Sequence, residues 1–105
     1  MSEALDRLET IIVERRNASP DSSYVASLFA KGREKIAQKV GEEATETVIA
    51  ALSGDPVRLT AEAADLLFHL MIMLEDGGLS IADVVDELER REGVSGLVEK
   101  AARPE

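Results

Sequence analysis

The sequence predicts an all-α fold, a four- to five-helix bundle with a long second helix; with few aromatics such a chain cannot bury all its apolar stripes alone, so packing as a dimer is expected. Three observations carry the reading. Apolar residues recur every three or four positions in four separate stretches. Helix stop and start signals stand between those stretches. No segment alternates apolar and polar residues as a half-buried strand does. The 105 residues suffice for one small core, so a single domain over 1–105 is expected.

The first helix is expected from Ala4 to about Arg16, where Leu5, Leu8, Ile11 and Ile12 repeat with charges between them. Pro20 and its polar neighbours break it, because proline cannot continue a helix. Asp21 or Ser22 is the expected cap of the second helix, which opens with Tyr24, Val25, Leu28 and Phe29 and runs to Gly54. Gly32 and Gly41 lie inside that pattern at a cost of roughly 1 kcal/mol each, and Gly32 marks either a kink or backbone that approaches a ligand. Asp55-Pro56 supplies a cap and an N1 proline for the third helix, which reaches about Asp76. From Leu66 to Leu74 its only polar side chain is His69, so this helix is expected to be buried. Gly77-Gly78 stops it. Ser80 and Asp83 then resemble a capping box ahead of Ile81, Val84, Val85 and Leu88. A weak Leu97/Val98 pair and a polar tail close the chain.

Composition narrows the function. Hydrophobic residues make up 45%, a globular proportion, with only 3% aromatics. A net charge of −9 argues against a nucleic-acid partner. It does not exclude a nucleotide substrate, because a divalent metal inverts charge locally. There is no cysteine, hence no disulfide framework and no thiolate chemistry. The N-terminus lacks the basic and apolar regions of a signal peptide, and no apolar run reaches membrane-span length. A cytoplasmic location is expected.

The chemistry concentrates in residues 31–46, K-G-R-E-K-I-A-Q-K-V-G-E-E-A-T-E. Wound as one helix, Lys31, Lys35, Gln38, Lys39, Glu42 and Glu46 share a face with Glu43 at its margin, and Ile36, Val40, Ala44 and Thr47 lie opposite. Like charges three or four apart cost a solvated helix only about 0.2–0.5 kcal/mol per pair. Away from water the same cluster needs a cation. A second acidic pair, Glu62 and Asp65, stands on the next helix at a similar distance from the 53–56 turn, so antiparallel packing brings the two edges to one height. Either cluster alone reads as a solvated face. Together, Glu42, Glu43, Glu46, Glu62 and Asp65 form a hard oxygen site suited to Mg²⁺, with Mn²⁺ as a substitute. Asp65, which opens the apolar run, is expected to be partly desolvated. A di-iron site is a weak rival, since the Glu-x-x-His pairs of that class are absent. His69 reads as a buried, hydrogen-bonded histidine. Lys31, Lys35 and Lys39 read equally as solubilising charge or as binders of substrate phosphates.

At these residues the sequence resembles the phosphoribosyl-ATP pyrophosphohydrolases, of the all-α MazG-type superfamily. The superfamily pattern E-x-x-E followed by E-x-x-D matches Glu43, Glu46, Glu62 and Asp65. The narrower likeness spans Ser23-Tyr24, Lys31-Gly32, Lys35-Ile36, the run from Gln38 to Ala44, the run from Ala64 to Leu70, Gly78-Leu79-Ser80 and the 95–101 stretch S-G-L-V-E-K-A. A cyclohydrolase domain, fused to this enzyme in some organisms, is lacking, and the chain is expected to act alone. The resemblance implies Mg²⁺-dependent hydrolysis of phosphoribosyl-ATP to phosphoribosyl-AMP and pyrophosphate. It further implies Glu43 or Glu46 as the base, lysines against the departing pyrophosphate, and a homodimer. Two other readings stay open: a pyrophosphatase of free nucleoside triphosphates, and a non-catalytic helical dimerisation module.

Overall fold

A computed structural model describes residues 3–93 and Lys100; the remainder of the 95–101 stretch and the Leu97/Val98 pair lie outside the described residues. Within residues 3–93 five helices follow in order: α1 (Glu3–Arg15), α2 (Tyr24–Lys31), α3 (Arg33–Ser53), α4 (Pro56–Asp76) and α5 (Ile81–Arg90). Among the described residues there is no strand, and no helix is long and apolar enough to cross a membrane.

The long second helix is divided. Gly32 adopts φ 96°, ψ 175°, a backbone conformation that L side chains rarely enter, and the chain turns there from α2 into α3. Its N–H still bonds to Leu28 and Phe29 carbonyls, and its carbonyl accepts from Ile36 N at 3.1 Å, so both helices are closed on the same residue. The cap of α2 is Ser23, one residue later than expected; its side chain accepts from Ala26 N at 3.2 Å. Asp55 caps α4 with Pro56 in its first turn, and the reciprocal Ser80–Asp83 capping box opens α5.

Helices α3 and α4 form the antiparallel hairpin that positions the site. Gly54, in the left-handed conformation at φ 78°, ends α3 and lets Asp55 begin α4 at once. The register is pinned at two heights. Thr47 faces Glu62, and Arg33 Nε donates to Asp76 Oδ2 at 2.7 Å near the far end. Arg16, stacked 4.8 Å over the Phe29 ring, donates to Glu75 Oε2 at 2.8 Å and so ties the end of α1 to α4. Ile12, Leu28, Ile36 and Ile72 meet in the core, each contributing roughly 1.5–3 kcal/mol by burial. Burial of α4 is concentrated at His69, Met71 and Ile72, while Leu66, Leu67, Phe68 and Leu70 are half-buried. At the hairpin tip Val48, Ile49, Leu52 and Val57 are exposed; Leu52 is 84% exposed.

Candidate active site

The carboxylates that converge are Glu43 from α3 and Glu62 and Asp65 from α4. One oxygen from each lies within 4.8 Å of the others. Their environments differ. Glu43 is buried, Glu62 half-buried and Asp65 exposed. The desolvated acid is therefore Glu43, and the expectation of a partly desolvated Asp65 is corrected: the start of the apolar run leaves its carboxylate in water. Two buried oxygens, Glu43 Oε2 and Glu62 Oε2, have no hydrogen-bond partner among the described residues. An unpaired buried carboxylate oxygen is costly.

The remaining acids lie around this group. Glu46 is exposed, and its carboxyl stands close to that of Glu62. That contact, followed by burial and by repulsion from Glu46, Asp65 and Glu43, pushes Glu62 above the ordinary glutamate range. Glu42 points to the surface. Gln38 donates to it at 2.8 Å and Lys39 lies at 3.4 Å, and these two hold its carboxyl below the usual range.

Of the three lysines, Lys39 is at the site, with Nζ 3.6 Å from Glu43 Oε1. Burial alone would lower its pKa, but the neighbouring Tyr24, Glu42 and Glu43 outweigh that and hold the ammonium above its ordinary value. Lys35 is half-buried one turn earlier on α3. Lys31 is the last residue of α2, on the other side of the Gly32 break, so helical periodicity no longer aligns it with Lys35 and Lys39. The single-face reading of residues 31–46 is corrected to that extent.

His69 is buried and engaged through both ring nitrogens. Nδ1 lies 2.7 Å from the Asp65 backbone carbonyl and Nε2 lies 2.7 Å from the Tyr24 hydroxyl. Its partner is thus the backbone of Asp65, not the carboxylate. Tyr24, from the first turn of α2, is half-exposed beside the cluster. Burial raises its pKa, Lys39 opposes, and the Glu43, Asp65 and Glu42 charges raise it further. Nothing in the residue spacing singles out Tyr24 for chemistry, and the Ser23-Tyr24 likeness is its one signal. Thr47 falls on the apolar side of the helical pattern, yet its hydroxyl reaches carbonyls of both helices.

Three converging carboxylates with two orphaned buried oxygens fit a hard divalent cation. An all-α hairpin carrying such a cluster between its helices is consistent with the MazG-type nucleotide pyrophosphohydrolase class. Comparison with known proteins narrows this. Residues 5–92 match the family model described as phosphoribosyl-ATP pyrophosphohydrolase, and the chain belongs to that family. It is 64% identical over 104 residues to a phosphoribosyl-ATP pyrophosphatase of Rhizorhabdus wittichii, covering 99% of this chain and 98% of that protein. It is 62% identical over 102 residues to one from Zymomonas mobilis, covering 97% and 95%. A third relative of the same name, from Erythrobacter litoralis, is 63% identical over 99 residues, covering 94% and 95%.

Proposed function

We propose that this chain is a phosphoribosyl-ATP pyrophosphatase, hydrolysing phosphoribosyl-ATP to phosphoribosyl-AMP and pyrophosphate in the second step of histidine biosynthesis. Its relatives carry that name over nearly their whole length. The observation that carries the mechanism is the pair of buried, unpartnered oxygens on Glu43 and Glu62. Such oxygens are an incomplete coordination shell, and Mg²⁺ or Mn²⁺ completes it.

Glu43, Glu62 and Asp65 are the proposed ligands. A bound divalent cation supplies Lewis acidity to the α-phosphoryl group and lowers the pKa of water. The water oxygen bonds to the α-phosphorus as the bond from that phosphorus to the bridging oxygen breaks, and pyrophosphate departs. Glu46, outside the group of three but beside Glu62, takes the water's proton as general base. Glu43, the other sequence candidate for that role, is assigned to the cation instead, a reading that its burial and unpartnered Oε2 support. Glu42, turned outward and already bonded by Gln38 and Lys39, contributes to the field and not to the ligand set. Lys35 and Lys39 neutralise charge on the departing pyrophosphate. Lys31 reaches such a substrate only from across the Gly32 break.

Residues 1–105 are read as one domain. A homodimer is supported by the exposed Val48, Ile49, Leu52 and Val57 at the hairpin tip, which a second chain would cover. A cytoplasmic location suits a biosynthetic enzyme of this kind. Incubation with phosphoribosyl-ATP and Mg²⁺, with and without chelator, tests the reading. Pyrophosphate released only without chelator supports it. Release from free nucleoside triphosphates but not from phosphoribosyl-ATP would transfer the chain to another substrate, and no release from either would refute the enzyme reading.

A further inference from the structure

Each acid of the cluster has its backbone carbonyl engaged by a side chain from outside the cluster. The Thr47 hydroxyl lies 2.7 Å from Glu43 O and 3.1 Å from Glu62 O. His69 Nδ1 lies 2.7 Å from Asp65 O, and its Nε2 is 2.7 Å from the Tyr24 hydroxyl. We propose that Thr47 and the Tyr24–His69 pair are positioning residues that fix the spacing of Glu43, Glu62 and Asp65 for a divalent cation. This rests on the metal reading given above.

Helix formation alone does not call for these bonds. Mid-helix carbonyls already accept from the N–H four residues later, so none of the three needs a second donor to be satisfied. A threonine that bonded only to its own helix would be ordinary, but Thr47 also reaches across to α4 at the turn that bears Glu62. The one hydroxyl proton is shared between the two carbonyls, which ties α3 to α4 at the height of the ligands. His69 is a buried polar residue in an otherwise apolar run, where an aliphatic side chain would avoid the desolvation cost. Its two bonds explain its presence. The Asp65 carbonyl can only accept, so Nδ1 donates to it, and Nε2 and the Tyr24 hydroxyl share the second bond. The pair thereby ties α2 to the turn of α4 that carries Asp65. A shift of the Tyr24–His69 pair moves the Asp65 turn of α4 relative to α2, and a shift of the Thr47 brace changes the distance between Glu43 on α3 and Glu62 on α4. Cation affinity depends on that distance, whereas the core of Ile12, Leu28, Ile36 and Ile72 does not.

Mn²⁺ binding by calorimetry on the metal-free full-length chain tests this, with thermal melts of each variant in chelator alongside. Wild type is compared with Asp65→Asn, Tyr24→Phe, Thr47→Val and Thr47→Ser. Tyr24→Phe and Thr47→Val should each weaken Mn²⁺ binding about tenfold or more, and Thr47→Ser, which keeps the hydroxyl, should stay within about threefold of wild type. The melts in chelator should show all variants folded. Wild-type affinity in both Tyr24→Phe and Thr47→Val, with binding lost in Asp65→Asn, would overturn the braces and leave the metal site standing. Equal Mn²⁺ binding by wild type and Asp65→Asn would overturn both. Should Tyr24→Phe not fold, the Thr47→Val and Thr47→Ser pair decides alone.

Discussion

Lys39 Nζ lies 3.6 Å from Glu43 Oε1, which places a protein cation against the buried acid of the cluster. The contact is longer than a good charge-assisted hydrogen bond, and it leaves Glu43 Oε2 without a partner. Lys39 thus offsets part of the desolvation cost of Glu43 and leaves room for a further cation. In the metal-free protein Lys39→Met should cost about 1–2 kcal/mol, between the values for exposed and for buried pairs. Mg²⁺ should restore part of that loss by supplying the missing charge. Denaturant melts in chelator and in Mg²⁺ measure both effects, and equal losses under the two conditions would separate Lys39 from the cluster.

Glu62 gives the metal-free protein a characteristic pH response. Its pKa in the folded chain is raised above the usual 4.5, first by the Glu46 carboxyl, then by burial and neighbouring charge. The folded state therefore holds its proton more tightly than the unfolded state, and ionisation disfavours folding. The associated stability is fully present below the usual value and is lost as pH rises from there through the raised folded value. Metal-free protein should lose stability over that window relative to Glu62→Gln, and Glu46→Gln should shrink the difference. Melts at several pH values in chelator check the sign; a difference that grows towards acid would contradict it.

Asp65→Asn separates a metal ligand from a structural acid. Its carboxylate is exposed and its backbone carbonyl, not its side chain, bonds to His69. The substitution should leave metal-free stability within about 0.5 kcal/mol of wild type, as for ordinary surface changes. Turnover should fall by about a hundredfold or more as one of three converging carboxylate charges is lost. Pyrophosphate release together with melts in chelator gives both readings. A large loss of stability without metal would return Asp65 to a structural role.

Gly32→Ala tests the break between α2 and α3. No neighbouring atom would obstruct a Cβ there, so the cost comes from φ 96° alone. About 1–3 kcal/mol of destabilisation is expected. Relief of that strain by joining α2 and α3 into one helix would pull Tyr24 from His69. A rise in stability, or unchanged activity with increased helicity by circular dichroism, would show that the break is dispensable.

Local chemistry made much of this molecule legible in its sequence. The apolar periodicity of α1, α4 and α5, the Asp55-Pro56 start and the Ser80–Asp83 box act within a few residues, so they can be read without knowing what packs where. The short 53–56 turn even predicts that two acidic edges meet. Tertiary structure decided the rest. An interior glycine that merely weakens a helix and one that breaks it are the same letter, and only the demand that α2 pack on α1 and α3 makes Gly32 a corner. Glu42 and Glu43 are adjacent and alike, and the rotation of α3 against α4 is what buries one and turns the other to solvent. Tyr24 and Asp65 meet through His69 across more than forty residues of chain, a contact with no periodicity to announce it. The sequence therefore determined which side chains can bind and cap, because those preferences are local. Which carboxylates lose water and gain neighbours was set by the packing of helices distant in the chain.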